Sequence, residues 1–168
     1  VSMKPIFDAL WGVPDGMYAT GLGHERAGSM NRFATIVAAG GHLVLNSDST
    51  VTPIDHWSIV RAATNHTVPD ERMTARAAFA AATRGGWRAI GDSRAGVISV
   101  GAPAHLAAWR VAERDVHVPD TRVAGWSTDP RSGTAGLPVL TGDLPECLAT
   151  WVHGRVVFGE DIVEADSG

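Results

Sequence analysis

Asp48 is the residue whose type and position most directly suggest chemistry. It follows a short apolar run at residues 42–46 and the polar residue Ser47. Barrels of alternating strands and helices place catalytic groups just past the C-terminal ends of buried strands. A carboxylate there can bind a metal ion or accept a proton from an activated water. The alternative is that Asp48 only stabilises the turn at 49–52, and the spacing alone favours that role.

The seven histidines are scattered singly and form neither His-x-His nor His-Glu-x-x-His. A lone histidine is more often a surface or packed residue than a ligand, and this interpretation is favoured for each of them. His24 and His66 are the better metal candidates because each lies in a polar loop or at a helix end. The remaining histidines are His42, His56, His105, His117 and His153.

Other reactive patterns are weak. The chain has no Gly-x-x-x-x-Gly-Lys-Ser/Thr phosphate loop, and the glycine-rich residues 18–28 follow no convincing strand. Ser47 and Ser49 lack the Gly-x-Ser-x-Gly context of a hydrolase nucleophile. Cys147 begins a predicted strand and is interpreted as inert packing. Three of the six tryptophans are assigned to the core rather than to a ligand cage: Trp57, Trp87 and Trp109.

Composition limits the class of protein. The 168 residues carry a net charge of −4, which argues against a nucleic-acid binder or a polybasic membrane-surface protein. A hydrophobic content of 45% with 19% charged residues is typical of a globular chain. One cysteine cannot form an internal disulfide, so we expect the protein to be located in the reducing cytoplasm.

The elements around Asp48 follow the order of a β/α unit. Apolar spacing predicts a helix over 31–39, which two glycines end. The run at 42–46 predicts a strand buried on both faces, as in parallel sheets. A polar loop at 47–50 and a helix from Pro53 to about residue 65 follow it.

The rest of the chain changes from helical to β character near residue 92. Thr74 is predicted to cap a helix over 75–87. Residues 104–111 predict a strand, and 115–146 a long loop. His153-Gly154 lies between two apolar runs and predicts a two-residue hairpin turn, because glycine accepts a positive φ.

Residues 43–53 (Leu-Val-Leu-Asn-Ser-Asp-Ser-Thr-Val-Thr-Pro) resemble the last barrel strand of the metal-dependent amidohydrolases, in the amidohydrolase family 3 branch. In that family the strand ends in Gly-Ser-Asp, followed by a Val-x-Pro-like turn. Further landmarks resemble family segments in the family's order: residues 1–7, 22–27, 73–91, 96–107 and 150–158. The resemblance therefore spans almost the whole chain.

This resemblance implies an α/β fold: the C-terminal part of a (β/α)8 TIM-type barrel at residues 1–92, and part of a small β-sandwich at 93–168. It implies hydrolysis of non-peptide C–N bonds of a small-molecule substrate. Asp48 would be both a metal ligand and the catalytic proton acceptor. The metal would be a divalent ion, with zinc favoured.

The chain departs from the family pattern in four ways. Lys4 stands where the family usually has Gln, Asn46 where it has Gly, and His105 where it has Asp. The family's other metal ligands, including His-x-His, would all precede residue 1. We therefore expect a C-terminal fragment that is inactive and binds no metal by itself, and residues 1–7 do not have the form of a secretory signal.

Two other hypotheses compete with the hydrolase fragment. An incomplete sandwich would leave strand edges unpaired, which favours a non-enzymatic, strand-exchanging assembly or binding module. A metal-free hydrolase built from Asp48 and a nearby histidine is the least supported, because no nucleophile or oxyanion motif accompanies it. For the hydrolase fragment and for the strand-exchanging module alike, we expect a homo-oligomer rather than a monomer.

Overall fold

The structure, a computed structural model, describes residues 1–115 and 136–159. The chain divides into two units, Val1–Ile90 and Gly91–Gly168. The assignment of residues 1–92 to a barrel and of 93–168 to a sandwich stays a prediction. Within the two described ranges, no helix is long and apolar enough to cross a membrane.

Two short parallel strands start the first unit. Strand β1 (Ser2–Met3) pairs with β2 (Val44–Leu45), with Ser2 opposite Val44 and Met3 opposite Leu45. Leu43 and Leu45, on one face of the strand, are buried, and Val44, on the other face, is half-buried. The structure thus confirms the short parallel strand predicted within 42–46, with its second face only partly covered.

Helices make up most of the rest of this unit. They are α1 (Pro5–Trp11), α2 (Met17–Leu22), α3 (His24–Ala27), α4 (Phe33–Ala38), α5 (His56–Thr64), a 3-10 helix (Pro69–Glu71), α6 (Ala75–Ala82) and α7 (Arg84–Ala89). Pro5 begins α1 directly after β1 and Lys4, because its fixed φ suits the first helical position.

Capping residues set where the longer helices begin. The Thr74 hydroxyl accepts the N–H of Ala77, which confirms the predicted cap of α6. The helix predicted from Pro53 begins three residues later, because the Asp55 carboxylate accepts the backbone N–H groups of Trp57 and Ser58.

The helix predicted over 75–87 is divided at Thr83. The Thr83 hydroxyl donates to the carbonyl of Phe79, a bond that competes with regular helix geometry. Gly85 then lies against β2: a Cβ added there would be 2.4 Å from the carbonyl oxygen of Leu43. The division therefore lets the backbone of α7 approach the strand closely.

The core of the first unit lies between α5, α6 and the strands. Trp57 stacks on Phe79, with ring centroids 5.4 Å apart and planes at 15°. Trp57 is buried, as the sequence predicted, whereas Trp87 and Trp109 are only half-buried. Fully buried neighbours include Phe33, Ile59, Val60, Ala63 and Ala78.

The described residues of the second unit form two small antiparallel sheets. One has the order β3 (Leu106–Arg110), β6 (Glu146–Val152), β7 (Arg155–Gly159), and the other pairs β4 (Arg114–Asp115) with β5 (Leu137–Pro138). The predicted strand at 104–111 and the predicted hairpin are confirmed. His153 and Gly154 both have positive φ, 49° and 75°, as a tight hairpin turn requires.

The loop predicted at 115–146 is only partly described. Residues 116–135, including His117, lie outside the described residues. The prediction is wrong at β5, which pairs with β4, and at Glu146, which belongs to β6. Such two-residue strands carry no periodicity, so the sequence gives no signal for them.

Candidate functional site

Lys4 and Asp48 meet at one edge of the β1–β2 pair. The strands are parallel, so their carboxyl ends lie at the same edge. Lys4 directly follows β1, and Asp48 follows β2 by three residues. Lys4 Nζ lies 3.9 Å from Asp48 Oδ1, with side chains 34% and 44% exposed. The edge thus presents a half-exposed carboxylate with an ammonium beside it.

Asn46 fixes the backbone that leads to Asp48. Its side-chain amide donates to Ser2 Oγ at 2.7 Å and to the Met3 carbonyl at 3.3 Å. Its side-chain oxygen accepts the N–H of Asp48 at 2.9 Å. The side chain therefore links the end of β1 to the segment after β2, a link that glycine at this position could not make.

The turn after β2 is held by groups other than the Asp48 carboxylate. The Asp48 carbonyl accepts the N–H of Val51 at 2.8 Å, and Ser47 Oγ accepts the N–H of Ser49. The Thr52 hydroxyl donates to the carbonyl of Ser47. Among the described residues, the carboxylate itself contacts the Lys4 ammonium. This arrangement leaves the carboxylate available to a ligand.

The described residues do not form a metal site by themselves. In the two ranges that the structure covers, no three His, Cys, Asp or Glu side chains come close enough together to hold an ion. Zinc sites use at least three protein ligands. Asp48 can supply one carboxylate, so the described residues offer a metal at this edge a single ligand.

His66 is buried, and both of its ring nitrogens are engaged. Nδ1 accepts the N–H of Val68 at 2.9 Å, which assigns the proton to Nε2. Nε2 then donates to the carbonyl of Asn31 at 2.9 Å. A histidine with both nitrogens used this way has no lone pair left for a metal. His24, the other of the two better metal candidates, is exposed, and its Nε2 lies 3.9 Å from Asp15 Oδ1.

Two buried carboxylates were not singled out by sequence analysis. Asp8 accepts the N–H and the hydroxyl of Thr67, at 2.8 and 2.9 Å. Its sequence signal is an acidic residue within the otherwise apolar helix α1. These bonds join α1 to the segment after α5, so Asp8 holds the first unit together.

Glu71 is the second buried carboxylate. Burial by itself raises the pKa of Glu71. Hydrogen bonds from the Thr35 hydroxyl and N–H, with the Arg32 guanidinium, outweigh burial and hold that pKa below its ordinary value. Glu71 therefore anchors the start of α4 as an ionised group, and no sequence pattern marks it.

A cavity of about 350 Å³ lies beside β2, between α4, α6 and α7. Its lining includes Val44, Met73 and Arg88, and contains neither Lys4 nor Asp48. Cys147 lies elsewhere, in β6, half-buried with its sulfur 3.5 Å from the Thr150 hydroxyl. Its surroundings agree with the packing role predicted for it.

Comparison with known proteins points to one family. A sequence profile described as "amidohydrolase family" matches residues 1–158. The crystal structure of an uncharacterized metal-dependent hydrolase from Pyrococcus furiosus resembles this fold, with a TM-score of 0.52 at 22% identity. The match covers 61% of this chain and 21% of that one, so the chain spans about a fifth of its length. No curated protein sequence matches the chain at a significant level.

Proposed function

The chain belongs to the amidohydrolase family, in its family 3 branch, and from that premise we propose that it is the C-terminal portion of a metal-dependent hydrolase. The reaction we propose is hydrolysis of a non-peptide C–N bond in a small molecule. The observation that carries the proposal is the position of Asp48. It lies just past the carboxyl end of the parallel strand β2, in a chain whose residues 1–158 match the family. That edge is where barrel enzymes place their chemistry.

Asp48 is the residue to which we assign the chemistry. A divalent metal, zinc in our proposal, activates a water molecule for attack in hydrolases of this kind. The Asp48 carboxylate would contribute one ligand, accept the proton of the attacking water and pass it to the leaving nitrogen. Its freedom from the turn's hydrogen bonds supports this role, because the carboxylate is not needed to hold the backbone.

Lys4 and Asn46 position this carboxylate. Asn46 fixes the Asp48 backbone N–H, and the Lys4 ammonium places a positive charge beside the carboxylate. Both residues replace the ones usual in the family. We propose that this site keeps the family's aspartate and holds it with its own set of neighbours.

The reading frame upstream of Val1 tests the proposal first. We expect a few hundred in-frame residues that carry His-x-His. The longer protein should hydrolyse small N-acyl compounds, lose that activity to a chelator and regain it with zinc. Activity that resists chelation, or a reading frame found to start at Met3, would contradict the proposal.

A strand-exchanging assembly module is the second candidate. The observation that favours it is that, in the part of the chain described, β1 and β2 pair only with each other. Each strand therefore keeps one edge without a strand beside it, and such edges recruit other strands. A gene that starts at Met3 would favour this second function.

A further inference from the structure

Lys4 brings a positive charge to the edge of the sheet where we place the chemistry. Its Nζ is 3.9 Å from Asp48 Oδ1, and its side chain is 34% exposed. The family usually has a neutral glutamine at this position, so the cation is a feature of this chain. A substrate that reaches Asp48 would therefore meet a charge that the neutral residue does not provide.

The Lys4 ammonium has hydrogen-bond donors left for a substrate. A separation of 3.9 Å is an ionic contact, and it is too long for a hydrogen bond to Asp48. In residues 1–115 and 136–159, no group accepts a hydrogen bond from this ammonium. As far as the described residues are concerned, all three of its N–H groups can therefore bind an acceptor.

The neighbouring polar side chain is already bonded to the fold. Asn46 donates its amide protons to Ser2 Oγ and to the Met3 carbonyl, and its side-chain oxygen accepts the N–H of Asp48. Releasing any of these bonds would loosen the backbone that holds Asp48. Lys4 rather than Asn46 is therefore the side chain that can donate to a substrate beside Asp48.

We propose that Lys4 is a specificity-determining residue, which selects substrates that carry a carboxylate near the leaving nitrogen. This inference rests on the function proposed above. Asp48 must lie beside the leaving nitrogen to pass a proton to it, and Lys4 lies beside Asp48. An ammonium forms charge-assisted hydrogen bonds with a carboxylate, which are stronger than those of a neutral amide. Lys4 binds the substrate and transfers no proton, so the hydrolysis itself is unchanged.

A pair of matched substrates tests this inference in the longer protein. One is N-acetyl-β-alanine, and the other is the same compound with its carboxylate converted to a primary amide; acetate release is measured for both. The readout is the ratio of the two kcat/KM values, because an effect of Lys4 on Asp48 changes both substrates alike and cancels. The test variant is Lys4→Gln. The matched control is Arg110→Gln, which removes the cation of another exposed ion pair.

We expect the wild type to prefer the acid, and Lys4→Gln to lower the ratio about tenfold or more, through a higher KM for the acid. Added salt should lower the wild-type ratio, because screening weakens exposed charge pairs, and this measurement needs no variant. The control should keep the wild-type ratio.

The outcomes separate this inference from the function on which it rests. Hydrolysis of both compounds with the same ratio in wild type and Lys4→Gln, or with an equal loss in Arg110→Gln, would overturn the role of Lys4 and leave the hydrolase intact. A wild-type ratio that does not respond to salt would do the same. Hydrolysis of neither compound would overturn the proposed function and this inference together.

Discussion

Lys4 Nζ and Asp48 Oδ1 are 3.9 Å apart, although the residues are separated by 44 positions in the sequence. Register explains the approach: Met3 lies opposite Leu45, so the residues that follow both strands leave the sheet at one edge. Exposed ion pairs of this kind contribute about 0–1 kcal/mol to stability. The fold therefore gains little stability from this pair.

Replacing Lys4 tests whether the ion pair matters for folding. Lys4→Gln, which installs the residue usual in the family, should change the free energy of unfolding by less than about 1 kcal/mol. Urea denaturation measures it. Arg110→Gln is the control, because Arg110 forms another exposed ion pair, with Glu146 at 2.5 Å. A much larger loss for Lys4→Gln alone would make Lys4 a structural residue.

Replacing Asn46 should lower the free energy of unfolding more than replacing Lys4 does. Asn46→Ala removes the side-chain bonds to Ser2, Met3 and Asp48, and each such bond is worth about 0.5–1.5 kcal/mol. For three such bonds we expect a loss of about 1.5–4.5 kcal/mol in urea denaturation. Asn65→Ala, at an exposed position just after α5, should cost less. Equal costs would show that Asn46 does not anchor this edge.

Glu71 should make the fold sensitive to acid. Its pKa in the folded chain lies below the ordinary 4.5, so its stabilisation is complete above that pH and is lost as the pH falls through the folded value. Glu71→Gln should cost about 1–3 kcal/mol at pH 7, and the difference from wild type should shrink below about pH 4.5. Denaturation curves across pH measure this. Glu25→Gln, on exposed α3, should show no such trend.

The isolated chain should not be a monomer. Among the described residues each strand of the β1–β2 pair has one unpaired edge. Several large apolar side chains are also exposed, including Leu10, Met17, Ile54, Val157 and Phe158. Such surfaces usually find partners, and a symmetric dimer is the simplest remedy. Light scattering at low micromolar concentration should give about twice the chain mass. A monodisperse 17.6 kDa particle that unfolds cooperatively would contradict this expectation.

The features that the sequence predicts correctly are those whose determining signals are local. The strand at 42–46, the Thr74 cap and the His153-Gly154 turn each depend on residues within a few positions, and each is confirmed. Family resemblance singled out Asp48 for the same reason, because its motif is continuous in the sequence.

The missed features join distant segments. Asp8 contacts Thr67 across 59 positions and Glu71 contacts Thr35 across 36, and no periodicity encodes either pair. The approach of Lys4 to Asp48 likewise depends on the strand register, which a single sequence does not specify for two-residue strands. His66 is a packed residue, as the sequence favoured, but its partners could not be predicted, because Asn31 and Val68 contact it through backbone groups, which every residue carries.

Turnover by the Asp48→Asn variant of the longer protein tests the central claim most directly. The amide keeps the shape of the side chain but cannot accept the proton, so kcat/KM should fall about 10²–10⁴-fold while circular dichroism stays unchanged. Asp15→Asn is the matched control, because Asp15 is also exposed and also has a positive φ, 60° against 55° for Asp48. The control should keep wild-type activity. Near-normal turnover by Asp48→Asn would contradict the account and leave Asp48 with only its part in the turn.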